Sequence, residues 1–464
     1  MPNLLKPAES AQNAISHPFS YNIKRMGTRW GMLEIFILVQ FLSPAILMFP
    51  GMQALRMPVR ILPYAASVAM FILLFQRKDS SNNLVIKAPG SGWLVLVFGL
   101  LCFSLFHSNT ILKSGIAQLG FQLTILCPII WTMFAKVSVE RLQRVLWLCL
   151  ACNALSALVG ALQVLWPSVF LPAEFNINFT DSYLGSLAYE GTDGRMIIRP
   201  PGLTDIPGGA ARGAVYASFL ALFFATERKH SSWLRGIFVI ITLLSFFTLY
   251  LTQVRSKFLI VVGAAAILAF LRARSGEGTK SIGVLLLVCA AVAMSFSMAV
   301  QVGGEKVSSR YLDLAETGLL ESYLKNRGHF LDYTFNHVLW EYPFGAGSGR
   351  WGMMNNYFGR GSHISSLWAE IQLTGWLYDG GIPMLFLYGA ALFSCVNTMY
   401  RLSLWKADFE FMRLARGICC LNIITIVSIF SGPSFNGQNG MMFWFLYGML
   451  VSTANTVASN KETA

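Results

Sequence analysis

Residues 281–300 read SIGVLLLVCAAVAMSFSMAV, without one charged side chain. A helix of that length extends about 30 Å, the thickness of the hydrocarbon core of a bilayer. Arg272, Arg274 and Lys280 stand just before it. An apolar run with basic residues at one end marks a membrane-crossing helix whose basic end faces the cytoplasm.

The pattern continues outward in both directions. Towards the amino end, apolar runs lie near 31–49, 60–75, 93–108, 115–135, 144–166, 210–226, 234–252 and 257–272. Towards the carboxyl end they lie near 378–397, 415–432 and 440–457. Every second connection is basic: Arg77, Lys78 and Lys87; Lys136, Arg141 and Arg144; Arg228, Lys229 and Arg235; Arg272, Arg274 and Lys280; Arg401, Lys406, Arg413 and Arg416. The short loops between them hold little beyond Arg56, Arg60 and Lys113. This asymmetry predicts an all-α polytopic integral membrane protein of about twelve transmembrane helices with both termini cytoplasmic. The polar first thirty residues lead into the run at 31–49, which no A-x-A-like cleavage site follows, so it reads as a retained first helix.

Composition agrees. Only 12% of the 464 residues are charged, where a soluble domain has about a quarter. The formal net charge of +13 follows from the basic loops, so the topology explains it better than nucleic-acid binding does. The eight cysteines all fall in apolar runs, where thiols behave as small hydrophobes, and none has a zinc-type spacing.

Three regions are expected. Residues 1–300 carry helices one to nine and a first long outer loop at about 167–209. Residues 301–377 form a large late outer loop, and 378–464 carry helices ten to twelve. In the late loop Leu324, Leu331, Phe335, Val338 and Leu339 recur at helical spacing, predicting an amphipathic helix that Pro343 and the glycines of FGAGSGRWG end. No internal repeat relates the two halves, whereas many transporters are built from repeats.

The outer side collects arginines: Arg195 and Arg199 in GRMIIRPPGL, Arg212 at the start of the sixth helix, Arg255 in the turn LTQVRSKFL, Arg327, and Arg350 in GSGRWG. Snorkelling to headgroups is the plain reading of an exposed arginine. Arg212 and Arg255 have no long polar loop to escape into, and ionisable groups at such depth mark substrate paths. A guanidinium stays charged and binds phosphate through two parallel bonds, so convergent arginines suit a diphosphate. The glycines of IPGG ahead of the sixth helix add backbone donors.

His363, in GRGSHISSLWAEI, is the histidine placed on this side before the tenth helix, where an imidazole could accept a proton from an attacking hydroxyl. The rival carboxylates are Glu370, two helical turns further on, Asp379 in YDGGIP, and Asp193, Asp205 and Glu190 in the first long loop. Neither H-E-x-x-H nor D-x-D occurs, so no metal site is expected.

These stretches resemble the O-antigen ligase and Wzy-type polymerase superfamily. RPPGLTDIPGGAARGAVYASF resembles the family segment with an arginine, a small-residue turn and the next helix. TQVRSKFLIVVGAAAILAF is similar to its short arginine-bearing turn, which places Arg255 at the family's arginine. NRGHFLDYTFNHVLWEYPFGAGSGRWG followed by SHISSLWAEI resembles the late loop with its glycine-rich turn and histidine. The resemblance covers about residues 190–390. One departure is that Ile364 follows His363 where the family commonly has Asn, with the DGG turn arriving only at residues 379–381.

The resemblance implies a glycosyltransferase of the bacterial inner membrane with its active site on the periplasmic face. Its substrates would be an undecaprenyl-diphosphate-linked oligosaccharide and an acceptor glycan. Arg199, Arg212, Arg255, Arg327 and Arg350 would bind the diphosphate, with His363 and Glu370 as catalytic candidates and no cofactor. A flippase and a chain-length regulator would be partners of a polymerase, which the departure at His363 favours over a ligase. A transporter of lipid-linked glycans or anions is the competing class, and a structural membrane subunit a further one. Against transport, helices one to five carry almost no ionisable residue.

Overall fold

Long apolar segments joined by short polar turns can bury their backbone polar groups only as helices, and helices dominate the chain. The computed structural model describes residues 31–49, 51–76, 88–171, 188–227, 230–359 and 361–462. Every element below lies within the unit Met32–Ala464.

The first helices are α1 (Met32–Ile46), α2 (Arg56–Gln76), α3 (Ser91–Ser104), α4 (Leu112–Phe134) and α5 (Val139–Leu165). A two-stranded antiparallel hairpin follows, β1 (Ala188–Glu190) and β2 (Met196–Ile198), with Ala188 opposite Ile198. Next come α6 (Ala210–Ala225), α7 (Ser232–Thr252), α8 (Arg255–Arg274) and α9 (Gly278–Thr317). A helical run over 319–341, α10, and the short α11 (Gly352–Phe358) precede α12 (Gln372–Ser403), α13 (Phe409–Val427) and α14 (Gln438–Glu462). Among the described residues nine helices are long and apolar enough to cross a membrane, and α1, α3 and α6 are shorter apolar helices. The protein is a nearly all-α polytopic membrane protein.

α6 lies at the centre. Every residue in it except Arg212 is buried, and it packs on α5 and α7. A helix apolar all round belongs inside a bundle. Outward, Val95, Phe103, Leu286 and Phe393 remain exposed, an apolar surface suited to lipid tails.

The connections gather at two ends. At one end Glu34 binds Arg141 and Arg144, Glu227 binds Arg272, and Glu277 binds Arg416 and Lys280. These residues begin or end α1, α5, α6, α8, α9 and α13, whose loops the sequence placed together as basic. Side chains cap three of the helices that start here: Ser138 accepts from Arg141 N, Ser231 from Leu234 N and Asp408 from Phe411 N, whereas α9 starts after Glu277 without a side-chain cap. Arg77, Lys78, Lys87, Arg228 and Lys229, counted among the basic loops, lie outside the described residues.

Several boundaries differ from the sequence reading. α13 begins at Phe409, not near 415, because Asp408 caps it and Arg413 and Arg416 find carboxylates within the fold. The ninth helix does not stop at 300; α9 runs to Thr317 and breaks at Gly304 (φ 62°, ψ −152°). α12 starts at Gln372, six residues before the expected 378, and breaks at Gly380 and Gly381, the latter at φ 65° and ψ −151°. Only glycine accepts such angles without strain, and a Cβ at Gly381 would collide with the Pro343 carbonyl. The loop repairs the break: Ala346 N donates to Tyr378 O and Ile382 N to Pro343 O, at 2.9 and 2.8 Å.

The expected amphipathic helix is present as part of α10 and ends at Glu341 ahead of Pro343. Its inner face keeps part of the expected apolar set, with Val338 buried and Leu331 and Leu339 partly buried. Thr334 is buried as well, and its hydroxyl meets that of Thr374 at 2.6 Å, while Leu324 and Phe335 are exposed.

Candidate functional site

At the end opposite the paired carboxylates, the starts of α4, α6, α8 and α12 have no side-chain cap. At α6 backbone carbonyls take the first N–H groups instead, Ala210 N donating to Pro200 O at 3.2 Å, Ala211 N to Gly208 O at 3.1 Å and Arg212 N to Gly209 O at 3.2 Å, while the helix dipole still favours negative charge there. Two cationic clusters sit among these helix starts.

The first surrounds a cavity of about 370 Å³ whose lining includes Arg60, Tyr64, Asp205, Arg212, Met353 and Gln438. Arg212 stands on the first turn of α6, and no carboxylate pairs with it among the described residues. Lys257 lies within electrostatic reach of Arg212 and donates to the Ser428 hydroxyl at 3.0 Å. Across the cavity Arg56 Nε and Arg60 Nη2 converge on a single oxygen of Asp205, at 2.6 and 2.8 Å. Asp205 is thus the one carboxylate among the lining residues, and Arg56 and Arg60 already occupy it.

The second cluster is Arg199, Arg255 and Arg310. Arg310 is within electrostatic reach of both others, and its Nη1 reaches Gln253 Oε1 at 3.4 Å. Arg199 Nε, Arg310 Nε and Gln253 Nε2 are buried donors without an acceptor. Gln253 adopts φ 55°, ψ 25° in the turn between α7 and α8, an uncommon left-handed conformation for a residue with a Cβ. Arg255 and Lys257 are two positions apart on α8, so their side chains leave opposite faces of that helix. The clusters flank its first turn.

The remaining candidates lie elsewhere. Arg327 donates to Glu370 Oε2 at 2.6 Å, and Trp368 Nε1 to Glu370 Oε1 at 3.2 Å, which ties α10 to the segment before α12. Arg350 is buried and donates to the carbonyls of Ala346 (3.0 Å) and Ser365 (3.1 Å), so its guanidinium organises the glycine-rich loop. That loop docks on α4, where Ser114 Oγ donates to Gly349 O at 2.6 Å. His363 is exposed on the irregular segment after α11, and its ring makes no hydrogen bond among the described residues. Neither His363 nor Glu370 lines the cavity.

Sequence reasoning set Arg212 and Arg255 apart from bulk loop arginines by position, and each lies in one of the two cationic clusters; it did not single out Arg56, Arg60, Lys257 or Arg310. A signal existed for the first pair: they break the rule that alternate loops lack basic residues, and they sit four apart on α2, on one face. Asp205, named with the rival carboxylates, is held by two arginines. No group of three or more His, Cys, Asp or Glu side chains able to hold a metal ion occurs among the described residues.

No family model and no curated protein matches the chain.

Proposed function

We propose that the protein is a membrane glycosyltransferase using a polyprenyl-diphosphate-linked glycan as donor. The specific form is a Wzy-type polymerase joining undecaprenyl-diphosphate-linked repeats into a surface polysaccharide. In this reading α1–α9 and α12–α14 all cross the bacterial inner membrane, the carboxylate-paired end is cytoplasmic, and the cavity opens to the periplasm. The observation that carries the proposal is Arg212, a guanidinium without a paired carboxylate on the first turn of α6, bordering a cavity and within electrostatic reach of Lys257. Such a group suits a ligand that brings negative charge.

An acceptor hydroxyl attacks the anomeric carbon, the carbon–oxygen bond to the diphosphate breaks, and the diphosphate leaves with the electron pair. Arg212, Lys257 and Arg60 stabilise the charge that develops on it, with Arg199, Arg255 and Arg310 on the far side of α8. His363, on the water-exposed segment, is the proposed acceptor of the hydroxyl proton, and Glu370, Arg327 and Arg350 position that segment. A ligase would use the same donor site with a lipid A core acceptor. Flippase and chain-length regulator remain the proposed partners.

Transport is disfavoured by where the helices break. Gly304 lies about 39 Å along α9 from Gly278, and Gly381 about 33 Å along α12 from Ser403, at 1.5 Å per residue. Both distances exceed a hydrocarbon core of about 30 Å, so the breaks fall at its boundary, where transporter breaks lie near the midplane. The test is a proteoliposome assay with radiolabelled lipid-linked repeat in EDTA. We expect a ladder of longer products; labelled lipid moved across the bilayer without lengthening would replace the enzyme reading with transport.

A further inference from the structure

Part of the cavity wall comes from two stretches far apart in sequence: Met353 on α11, and Pro433, Ser434 and Gly437 ahead of α14. The stretches abut, since a Cβ on Gly352 would lie 3.2 Å from Asn436 Nδ2. α11 has only seven residues and 433–437 lie between helices, so neither stretch holds its shape alone. The first segment of α12 ties both down. Near its start Gln372 Oε1 accepts from Phe435 N at 2.8 Å. About two turns further along, Asp379 Oδ1 accepts from Trp351 Nε1 at 2.8 Å. On α4, Gln118 Nε2 lies 3.5 Å from both Asp379 Oδ2 and Asn436 Oδ1, and Gln122 Nε2 donates to Asn436 Oδ1 at 2.9 Å.

Asp379 is 2% exposed and Trp351 1%. A buried carboxylate is costly to keep, and the break in α12 that follows it does not require one. The backbone there is already satisfied, with Ala346 N donating to Tyr378 O and Ile382 N to Pro343 O. What the carboxylate adds is the orientation of one indole. Trp351 Nε1 finds its acceptor in Asp379, and the far edge of the ring lies on Gly375, where a Cβ would fall 2.2 Å from Cη2. The ring is thus held at both edges, two residues before Met353.

We propose that Asp379 is a positioning residue for the cavity. It is not among the residues that line it. It fixes Trp351, and through Trp351 the Met353 wall and the Asn436 stretch packed against that wall. The inference rests on the reading of this cavity as the donor site. Met353 and 433–437 then contact the donor alike in ground and transition states, so loosening them weakens donor binding and spares the chemical step.

The test pairs hydrogen exchange with kinetics on the purified full-length protein. Asp379→Leu removes the acceptor at similar volume. Backbone exchange over 351–358 is expected to quicken about tenfold while α5 keeps its protection. KM for the lipid-linked repeat is expected to rise about tenfold, with kcat changed by less than about twofold. Asp379→Asn keeps an oxygen for the indole and should recover most of that affinity. Should Asp379→Leu fail to fold, Gly375→Ala leaves the carboxylate in place, displaces the indole and is expected to give the same split. Unchanged exchange over 351–358 would overturn the positioning role, and so would a fall in kcat at constant KM. Faster exchange in the variants, with a parent protein that neither binds undecaprenyl diphosphate nor lengthens the repeat, would keep the anchor and overturn the donor reading instead.

Discussion

The two ends of the helix bundle use arginine in opposite ways. At the capped end each buried carboxylate has its cation: Glu34 with Arg141, Glu227 with Arg272, Glu277 with Arg416. At the other end Arg212, Lys257, Arg199, Arg255 and Arg310 crowd together, and Asp205 is already shared by Arg56 and Arg60. Paired ions satisfy each other and hold loops. Unpaired like charges are tolerated only where something else supplies the opposite charge. The contrast separates an end whose buried charges are answered within the chain from one whose cations are not, and the proposed donor site rests on that difference.

The contrast breaks most visibly at the Glu227–Arg272 pair, whose side chains are 5% and 1% exposed. Glu227→Ala leaves Arg272 buried without its carboxylate and should destabilise the fold by about 3 kcal/mol. Thermal unfolding in detergent measures it, and an unchanged Tm would mean the capped end is not held by its ion pairs. At the binding end the sign reverses. Arg212→Lys keeps the charge but loses the planar fork, and we expect about a hundredfold loss of polymerisation, roughly 2.7 kcal/mol, with little change in Tm. Activity near that of the parent protein would remove Arg212 from the site.

His363→Ala sharpens the comparison from the acceptor side. An exposed proton acceptor should contribute about tenfold or more to the rate without altering donor binding. Polymer made at the original rate would pass the role to another group. The smallest effect concerns pH. Burial raises the Glu277 carboxyl, but bonds from Lys280 and Arg416 outweigh it and hold it below its ordinary value. Its contribution is thus present above the unfolded value of about 4.3 and lost as pH falls through the lower folded value. Glu277→Gln should flatten the acid side of the stability profile; an unaltered profile would mean that pair is inert.

The helices were legible because apolar length and basic alternation are local features. Residues 281–300 announce α9, whereas the caps Ser138, Ser231 and Asp408 went unread, which left the start of α13 near 415 rather than at Phe409. The extension of α9 to Thr317 was not legible, since residues 301–317 are polar enough to read as loop and their helix continues outside the apolar run. Arg212 and Arg255 were legible by their place at helix starts. Lys257 was not, because its partner is Ser428, just past the end of α13 and 171 residues away. Arg350 could not be resolved by sequence, since a glycine-rich arginine motif can serve a ligand or its own loop, and here its guanidinium donates to the carbonyls of Ala346 and Ser365.

Donor binding to the two ends is the most direct measurement. Purified protein in EDTA would be titrated with undecaprenyl diphosphate, comparing the parent with Arg212→Lys and with Arg141→Lys at the capped end. The account predicts binding by the parent and by Arg141→Lys, and an affinity about tenfold or more weaker for Arg212→Lys. Equal affinity for all three, or binding that requires added magnesium, would contradict the claim that unpaired cations at the uncapped end hold the diphosphate.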